Sequence, residues 1–270
     1  MKLALSRVEF SKYDEKIKIK VPRTLTPKLA YFIGIHVGDG TLVYDKSKYH
    51  YIIGYTGHLI DEWDFHRDII TPLVRELFNK DVIQTEDLRE NKKSVRIFFK
   101  SKAIFTFLSK VIELPVGSKK TLGIPSIIKM ANNTIKMNFI RGLADTDFTL
   151  TFKKKYRSVH YYPSIAISSA SKSLINDLKN VLIDLSFRPY YLKSYKKFDR
   201  RNSTYYHGAE IDLNGLYNLN LWMKKIGFTS TKHLTKYEIW KKYGYCPPNT
   251  NIKQRTAILN GKLSIGSFYK

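Results

Sequence analysis

Two stretches of the chain repeat the same arrangement of apolar positions, and each stretch ends near an acid. The first is LAYFIGIHVGDG (29–40) and the second is FIRGLADTDF (139–148). In both, a glycine lies five residues before the acid, and both residues recur at an offset of 108. The matching pairs are Gly34 with Gly142 and Asp39 with Asp147. A fixed offset of this kind indicates a duplicated structural unit.

The pattern predicts the same order of helices and strands in each copy. An apolar helix comes first, at 27–38 and 135–146, and the period-two alternation at the end of YYPSIAIS is typical of a half-buried strand. The predicted strands lie near 41–46, 49–56, 82–87 and 94–100, and then near 148–155, 160–168, 189–196 and 205–213. A longer helix separates the strand pairs, at 61–78 and 171–187, and a last helix closes each copy, at 103–114 and 216–227. Pro72 is expected to kink or interrupt the first longer helix, because proline has no N–H.

The element order αββαββα, found twice, predicts an α+β fold with two pseudo-symmetric units. In each unit four twisted strands make a curved antiparallel sheet, with one face on the helices and the other open to solvent. The expected boundaries are a lead-in at 1–24, a first unit at 25–130, a second unit at 131–245 and a basic tail at 246–270. The tail is expected to be either a loose arm or a short helix packed on the body.

The charge of the chain indicates the class of its partner. The formal net charge of +24 arises from 47 Lys and Arg against 23 Asp and Glu, which points to nucleic acid before an anionic membrane. No apolar run has the length of a bilayer span and the N-terminus lacks a signal-peptide core, so we expect a cytoplasmic protein with no membrane partner. Cys246 is the only cysteine, which excludes a disulfide framework and a thiolate zinc finger.

Small residues lie on one face of each motif segment, at a spacing of four. The two sets are Ala30, Gly34 and Gly38, and then Asn138, Gly142 and Thr146. Because small side chains let helix backbones approach closely, we expect the two helices to pack side by side, with Gly34, Gly38 and Gly142 in the interface. The two motif acids would then lie at the same end of the helix pair.

Two carboxylates brought close together repel each other unless a cation lies between them. Oxygen ligands with open positions suit Mg²⁺, and such ions beside a phosphodiester can activate water and stabilise the leaving oxygen. The competing interpretation is that Asp39, which lies between two glycines, is an ordinary residue of a helix-ending turn. Asp147 is followed by Phe148, so that interpretation does not cover the second acid.

FIGIHVGDG (32–40) and IRGLADTDF (140–148) resemble the two signature motifs of the LAGLIDADG homing endonucleases, in their single-chain, two-motif form. The resemblance includes the αββαββ order of each half and therefore extends to about residue 245. GSKKTLGIPSII and KHLTKYEIWKKYGYCPP are similar to archaeal members in particular. The chain departs from the family pattern at Phe148, where a glycine usually follows the second acid.

The resemblance implies an activity, a cofactor and a set of site residues. It implies that the motif helices form the interface between the halves and that Asp39 and Asp147 bind divalent metal ions, with Gly38 and Thr146 beside them. The cofactor would be Mg²⁺, with Mn²⁺ able to substitute. The reaction would be hydrolysis of double-stranded DNA across the minor groove of a long, nearly non-palindromic site, leaving short 3′ overhangs.

Many members of the family place a basic or amide side chain near the cleaved phosphates. The candidates for that catalytic role in this chain are His58 in the first unit, Ser169 or Lys172 in the second, and also Lys100 and Lys120. A basic group there could polarise the attacking water or stabilise charge on the phosphorus. The ordinary alternative is that His58 is a loop residue and that Lys100 and Lys120 are solvated surface charges.

The open face of each sheet is predicted to form a saddle that binds DNA, because a two-stranded ribbon fits the major groove. The candidate DNA-binding residues of the first unit are Tyr44, Lys46, Lys48, Tyr55, Gln84, Glu86, Arg89 and Arg96. Those of the second unit are Lys153, Lys155, Arg157, Tyr191, Lys193, Tyr195, Lys197, Arg200 and Arg201. Any one of these lysines could instead guard a solvated strand edge. Because the two sets differ, the target should not be a palindrome, and a fused dimer of this kind is expected to be a monomer.

Two other functional classes remain open from the sequence. The same scaffold could serve as a binding protein, either an intron-splicing maturase that holds its own intron RNA or a regulator that does not cleave. A general polyanion binder with coincidental motifs is the third class, and the duplicated register of the motifs argues against it.

Overall fold

A computed structural model describes residues 1–88, 93–199 and 203–269. The chain divides into two compact units, Met1–Thr146 and Asp147–Lys270. The predicted order αββαββα occurs twice along the chain, so the predicted α+β fold is confirmed. Within the described part of the chain, no helix has the length and apolar character needed to cross a bilayer.

The first copy follows a 3₁₀ turn at Leu5–Arg7 and a short helix, α1 (Lys12–Lys16). Its elements are α2 (Pro27–Gly38), β1 (Gly40–Asp45), β2 (His50–His58), α3 (Leu59–Phe65), α4 (Thr71–Phe78), β3 (Gln84–Asp87), β4 (Ser94–Lys100) and α5 (Lys102–Thr106). The start of α2 is fixed by Thr26, whose hydroxyl accepts a hydrogen bond from the N–H of Leu29, and by Pro27 in the first turn.

The predicted interruption at Pro72 takes the form of a wider helical turn. A π-helical segment at His66–Ile70 joins α3 to α4, and the N–H of Thr71 bonds the carbonyl of His66, five residues back. Proline has no N–H and its ring displaces the carbonyl four residues earlier, so the extra residue accommodates it without ending the helix. A second π-helical segment, Phe107–Val111, extends α5.

The second copy begins after the short α6 (Ser126–Lys129). Its elements are α7 (Asn133–Asp147), β5 (Thr149–Lys154), β6 (His160–Ser169), α8 (Lys172–Asp184), β7 (Tyr190–Asp199), β8 (Thr204–Asn214) and α9 (Gly215–Lys225). Beyond it lie α10 (Thr231–Tyr243), α11 (Ile252–Leu259) and a 3₁₀ turn at Ile265–Tyr269. The tail is therefore a packed helix and not a loose arm, since the buried Arg255 of α11 donates to the Thr235 hydroxyl of α10 at 2.8 Å.

Each copy contains one antiparallel four-stranded sheet, as predicted. The strand orders are β1-β2-β4-β3 and β5-β6-β8-β7. In the first sheet the row Leu42–Ile53–Phe99 is buried, and in the second the row Leu150–Ile165–Leu213 is buried. These rows define the core face of each sheet.

We call the opposite face of each sheet its open face. In the first sheet it carries Thr41, Val43, Ile52, Gly54, Thr56, Thr85, Arg96, Phe98 and Lys100. In the second it carries Thr149, Thr151, Lys153, Tyr162, Ser164, Ala166, Ser168, Tyr190, Leu192, Tyr195, Glu210, Asp212 and Asn214. Residues that are Cα partners in a ladder lie on the same face, so the register alone assigns every strand residue to one side.

The backbones of α2 and α7 are in direct contact within the first unit. A Cβ atom added to Gly34 would overlap the carbonyl oxygen of Phe139, and one added to Gly142 would overlap that of Tyr31. The hydroxyl of Tyr31 also donates to the Asp145 carboxylate at 2.7 Å, and Asp145 is fully buried. The predicted close packing of the two motif helices through Gly34 and Gly142 is therefore present.

The N-terminal lead-in is fixed to the first unit by the buried carboxylate of Asp14. This carboxylate accepts hydrogen bonds from the hydroxyl of Ser101 at 2.7 Å and from the main-chain N–H groups of Lys102 and Ala103 at 3.1 and 3.2 Å. It also accepts from the N–H and hydroxyl of Ser11 at 2.9 and 2.7 Å. Burial raises the pKa of Asp14, but these hydrogen bonds outweigh burial and leave the pKa below its ordinary value of 3.8.

We expect Gly34→Ala and Gly142→Ala to lower the free energy of unfolding by about 2–3 kcal/mol each, because the added methyl group forces the two backbones apart. This loss would occur although alanine is intrinsically the better helix former by about 1 kcal/mol. Urea unfolding of each variant measures this change in the free energy of unfolding. Gly266→Ala is the matched control, since its Cβ would contact only the Ser264 hydroxyl at 3.7 Å. Equal stability of all three variants would contradict the close contact.

We expect Asp14→Asn to lower the free energy of unfolding by about 3 kcal/mol, because the amide cannot accept from all five donors. The folded pKa of Asp14 lies below 3.8, so its stabilising effect is complete at neutral pH and is lost as the pH falls below that value. Thermal unfolding of both proteins across the acidic range would show the difference narrowing. A constant difference would contradict the ionised carboxylate.

Candidate functional site

Asp39 is the residue at which α2 ends and the first sheet begins. Its backbone is still helical, with φ −89° and ψ −8°, and its N–H donates to the carbonyl of Ile35 at 3.0 Å. The next residue, Gly40, is already the first residue of β1. A Cβ at Gly40 would overlap the imidazole of His36, so only glycine fits directly after the acid. The side chain of Asp39 is half-buried at this junction.

His36 supports the same junction from inside the core. Its Nδ1 lies 3.0 Å from the hydroxyl of Tyr55, and its ring meets the Tyr55 ring edge-on at 5.5 Å. Burial, with a smaller contribution from the Lys119 ammonium, lowers the pKa of His36 to about 3. The imidazole is therefore neutral at physiological pH.

A lysine caps the end of α2. The Lys119 ammonium donates to the carbonyl of Val37 at 2.8 Å and also to that of Gly38. Four unpaired carbonyls at a helix C-terminus carry partial negative charge, and a cation there is stabilising. The loop that carries Lys119 is held in place because the N–H of Gly117 donates to the Leu42 carbonyl of β1 at 2.9 Å.

Lys119, and not the predicted catalytic candidate Lys120, is the lysine that contacts the end of α2. Lys120 is exposed, whereas Lys119 is half-buried against the helix end. Adjacent lysines in a loop carry no periodic signal, and only the path of the loop, with a positive φ of 85° at Gly117, decides which one turns inward. Lys120 remains a candidate for contact with a ligand.

Asp147 is the last residue of α7, and its side chain is exposed. The preceding Thr146 turns back on its own helix, with its hydroxyl donating to the carbonyl of Leu143 at 2.9 Å. Asp145, two residues earlier, is buried against Tyr31 and is thus a packing residue of the motif. The two acids of this motif therefore have different environments, which sequence analysis did not predict.

The structure explains why Phe148 replaces the glycine that usually follows the second acid. Its ring is only 1% exposed and lies 5.3 Å from the Trp222 ring of α9. Trp222 in turn contacts Phe187 and Phe228, at 5.9 and 5.4 Å. The residue after Asp147 is thus part of the aromatic core of the second unit, and this packing fixes the end of α7.

The oxygen atoms at these helix ends are of the kind that a hard divalent cation prefers. Asp39 offers a carboxylate beside the main-chain carbonyls that already attract the Lys119 ammonium, and Asp147 offers an exposed carboxylate. Carboxylate and carbonyl oxygens suit Mg²⁺. Among the residues that the structure describes, no three His, Cys, Asp or Glu side chains are grouped as a complete metal site.

His58 and Lys100 are engaged elsewhere in the first unit. His58 caps α3, accepting from the N–H of Asp61 at 3.4 Å and lying 3.7 Å from its carboxylate. Lys100 lies 3.3 Å from His50 Nε2 and lines a cleft of about 810 Å³. Its row in the sheet contains Val43, four residues beyond Asp39, which corresponds to about 13 Å along the strand. The structure does not bring Lys100 to the end of α2.

Some of the predicted DNA-contacting residues do lie on exposed surfaces of the sheets. Arg96, Lys153 and Tyr195 lie on the open faces, and Lys46 and Lys48 lie in the exposed turn after β1. Lys155 and Arg157 lie in the turn after β5, with their charged groups 4.4 Å from the Tyr162 ring and 4.8 Å from the Tyr161 ring. Lys193 and Lys197 belong to β7, and Arg89, Arg200 and Arg201 lie outside the described residues.

Five other candidates lie on the core face of their strands and not on the open face, which corrects the sequence-based assignment, although Glu86 on the edge strand β3 is still exposed. They are Tyr44, Tyr55, Gln84, Glu86 and Tyr191. Tyr55 is completely buried, Gln84 and Glu86 pair with the buried Ile97 and Val95, and Tyr191 pairs with the buried Ile211. A shift of one residue in strand register transfers every side chain to the opposite face. Tyrosine and glutamine fit either face, so their identity did not reveal the register.

No protein-family model matches the chain. Among curated proteins it is similar to a glutamine–fructose-6-phosphate aminotransferase (isomerizing) of Methanocaldococcus jannaschii, with 23% identity over 224 residues. That match covers 82% of this chain but only 18% of the relative, so the chain spans less than a fifth of that protein.

Several solved structures are similar to the chain. A mutant of I-SmaMI has a TM-score of 0.51 at 11% identity, covering 90% of this chain and 98% of that one. I-DmoI in complex with DNA and Mn has a TM-score of 0.49 at 17% identity, covering 76% and 98%. The homing endonuclease I-WcaI bound to its DNA recognition sequence has a TM-score of 0.48 at 14% identity, covering 80% and 87%.

The conclusion about the fold rests on the I-SmaMI structure, because its superposition covers nearly all of both chains at a TM-score above 0.5. Identities in this range establish the fold and not the activity. The two antiparallel sheets, one in each pseudo-symmetric copy, agree with that fold. The resemblance predicted from the two motifs is thus confirmed at the level of architecture: this chain has the LAGLIDADG homing endonuclease fold.

Proposed function

We propose that the chain is a site-specific endonuclease that makes a double-strand break in DNA with the help of a divalent cation. The observation that carries this proposal is the pair of motif helices. They touch backbone to backbone at Gly34 and Gly142, and they end at matching positions of the repeat in Asp39 and Asp147. A duplicated core element that ends twice in an accessible acid is more than helix packing requires.

In this proposal Asp39 and Asp147 hold the cation, with the main chain of Gly38 and Thr146 beside them. Mg²⁺ is the proposed ion, and Mn²⁺ is expected to substitute. When bound, such an ion lowers the pKa of a coordinated water and stabilises negative charge on the phosphate oxygens. The protein's own contribution is to fix the carboxylates, through Gly40 beneath His36 at one and through Phe148 against Trp222 at the other.

The basic group near the phosphate is proposed to come from the Lys119–Lys120 pair. Lys119 donates to the carbonyls at the end of α2, and Asp39 is the residue that directly follows that helix. Lys120 is exposed and able to contact a backbone phosphate of the DNA. His58 and Lys100 are less suited to this role, since His58 caps α3 and Lys100 lies with His50.

The open faces of the two sheets are proposed to bind the major groove of the target. The net charge of +24 supports contact with the phosphate backbone, and the alternation of side chains along each strand presents every second residue to base edges. Because the open faces carry different residues, the proposed target is long and not palindromic. The proposed products carry short 3′ overhangs, and the proposed active form is a monomer.

We expect the protein to cut one site in a randomised duplex pool with Mg²⁺, and Asp39→Asn and Asp147→Asn to lose about 100-fold or more in cleavage rate. Both variants should still bind the selected duplex in EDTA, because the acids are not needed for contact with the sheets. Asp184→Asn is the matched control, since Asp184 is also an exposed acid at the last residue of a helix.

Full cleavage by either motif variant would remove that acid from the proposed site. Tight duplex binding by the wild type without cutting, with Mg²⁺ and with Mn²⁺, would overturn the endonuclease. The chain would then belong to the binding class, and its intron RNA would become the ligand to test.

The two lysines of the pair should respond differently to substitution. Lys119→Met should lower the melting temperature and the cleavage rate together, because it uncaps the carbonyls at the end of α2. Lys120→Met should leave the melting temperature unchanged and should lower cleavage or binding alone. Thermal unfolding and single-turnover cleavage of both variants measure this. Unchanged melting of Lys119→Met would contradict the capping role.

A further inference from the structure

A row of three residues crosses the open face of the first sheet close to the motif acid. Two residues after Asp39, Thr41 of β1 pairs with Gly54 of β2. Gly54 then pairs with Phe98 of β4. Phe98, an exposed aromatic residue, therefore lies two strand pairings away from the residue two positions after Asp39.

The same count in the second sheet leads to a different kind of residue. Two residues after Asp147, Thr149 of β5 pairs with Ala166 of β6, and Ala166 pairs with Asp212 of β8. Asp212 therefore occupies the position in the second sheet that Phe98 occupies in the first. This equivalence follows from the hydrogen-bond register of the two sheets.

The contrast extends to the neighbouring positions of the same strands. On β4 the residues on either side of Phe98 on the open face are Lys100 and Arg96, whose guanidinium also pairs with the buried carboxylate of Asp87. On β8 the residues on either side of Asp212 are Glu210 and Asn214. One strand thus offers hydrogen-bond donors around an apolar side chain, and the equivalent strand offers mainly acceptors.

Phe98 is held on the open face by the absence of a side chain beneath it. A Cβ at Gly54 would lie 2.6 Å from its Cδ1, so the ring lies flat across the glycine. The residue is 52% exposed although it is large and apolar. An exposed ring supported in this way is typical of a contact surface and not of a strand edge.

Asp212 is also held in place. Its Oδ1 accepts a hydrogen bond from the Ser164 hydroxyl at 3.2 Å and lies 3.8 Å from the Lys153 ammonium. Lys153 also donates to the Asn214 side chain at 3.3 Å. The side chain of Asp212 is 18% exposed. The contacts with Ser164 and Lys153 orient its carboxylate before any ligand arrives.

A carboxylate on a surface that meets DNA is repelled by the phosphates unless a base donates a hydrogen bond to it. In the major groove cytosine presents the N4 amino group as a donor, whereas adenine presents its N6 donor next to the N7 acceptor, which repels an acid. Cytosine is therefore the favoured partner of Asp212. The methyl group of thymine is the apolar feature of the major groove and suits the ring of Phe98.

We infer, resting on the proposed DNA-binding function, that Asp212 determines specificity by accepting a hydrogen bond from a cytosine N4. Phe98 contacts a thymine methyl at the equivalent position of the other half-site. The two half-sites consequently differ at matching positions, one being C·G and the other T·A. Ser164 and Lys153 are positioning residues that hold the carboxylate.

The test is selection of bound duplexes from a randomised pool in EDTA, which makes the readout independent of cleavage. The wild type, Asp212→Asn and Phe98→Ala would be compared, with Ser168→Ala as a control because Ser168 is an exposed residue of the same open face. The expected wild-type site has one position fixed as cytosine. Asp212→Asn should shift that single position toward adenine by roughly 10-fold, because an amide pairs with adenine N6 and N7.

Phe98→Ala should relax one thymine position in the other half-site, and Ser168→Ala should leave the cytosine and thymine positions unchanged. A second variant, Asp212→Ser, guards against misfolding of the first, and it should lose the cytosine preference without gaining adenine. Weaker binding by Asp212→Asn with an unchanged base preference would show that Asp212 has only a structural role. That result would overturn this inference but not the proposed DNA-binding function. Failure of the wild type to enrich any duplex would overturn both the inference and the proposed function.

Discussion

The contact between the backbones of α2 and α7 is the constraint on which the rest of the structure depends. Two helices can approach this closely only where neither has a side chain, and Gly34 and Gly142 provide such positions. The hydrogen bond from Tyr31 to Asp145 adds a polar contact in the same interface, where a shifted helix would break a hydrogen bond to a buried carboxylate. Because α2 continues directly into β1, this contact also fixes where the first sheet begins.

The elements of the fold could be predicted from the sequence because they are set by local periodicity and by duplication. The helix at Pro27–Gly38 was predicted with its observed bounds, and the strands differ from prediction by one to three residues at most of their ends. Which face of the sheet each strand residue occupies was harder to predict. Tyr55 was assigned to the open side and lies in the core, because aromatic residues suit both environments and only the pairing with buried neighbours determines the face.

The residues of the candidate site also fall into two groups, those that the sequence reveals and those that only the structure reveals. Asp39 and Asp147 could be found from the sequence because the repeat places them at matching positions. Lys119 could not be separated from Lys120, because its role depends on a loop that is tied to β1 through Gly117. The buried role of Asp145 also required the structure, since nothing in the motif distinguishes an acid that packs between helices from one that lies at a helix end.

The two motif acids are followed by opposite kinds of residue, and this limits how the protein could be rebuilt. Gly40 must stay small because the His36 ring lies against it, whereas Phe148 must stay large because it fills a space beside Trp222. Each motif is therefore fitted to its own sheet and aromatic cluster. A chimera that exchanged only the helices between the two halves would create a clash at one junction and a cavity at the other. The smallest portable module is the motif helix together with the sheet and closing helix that follow it.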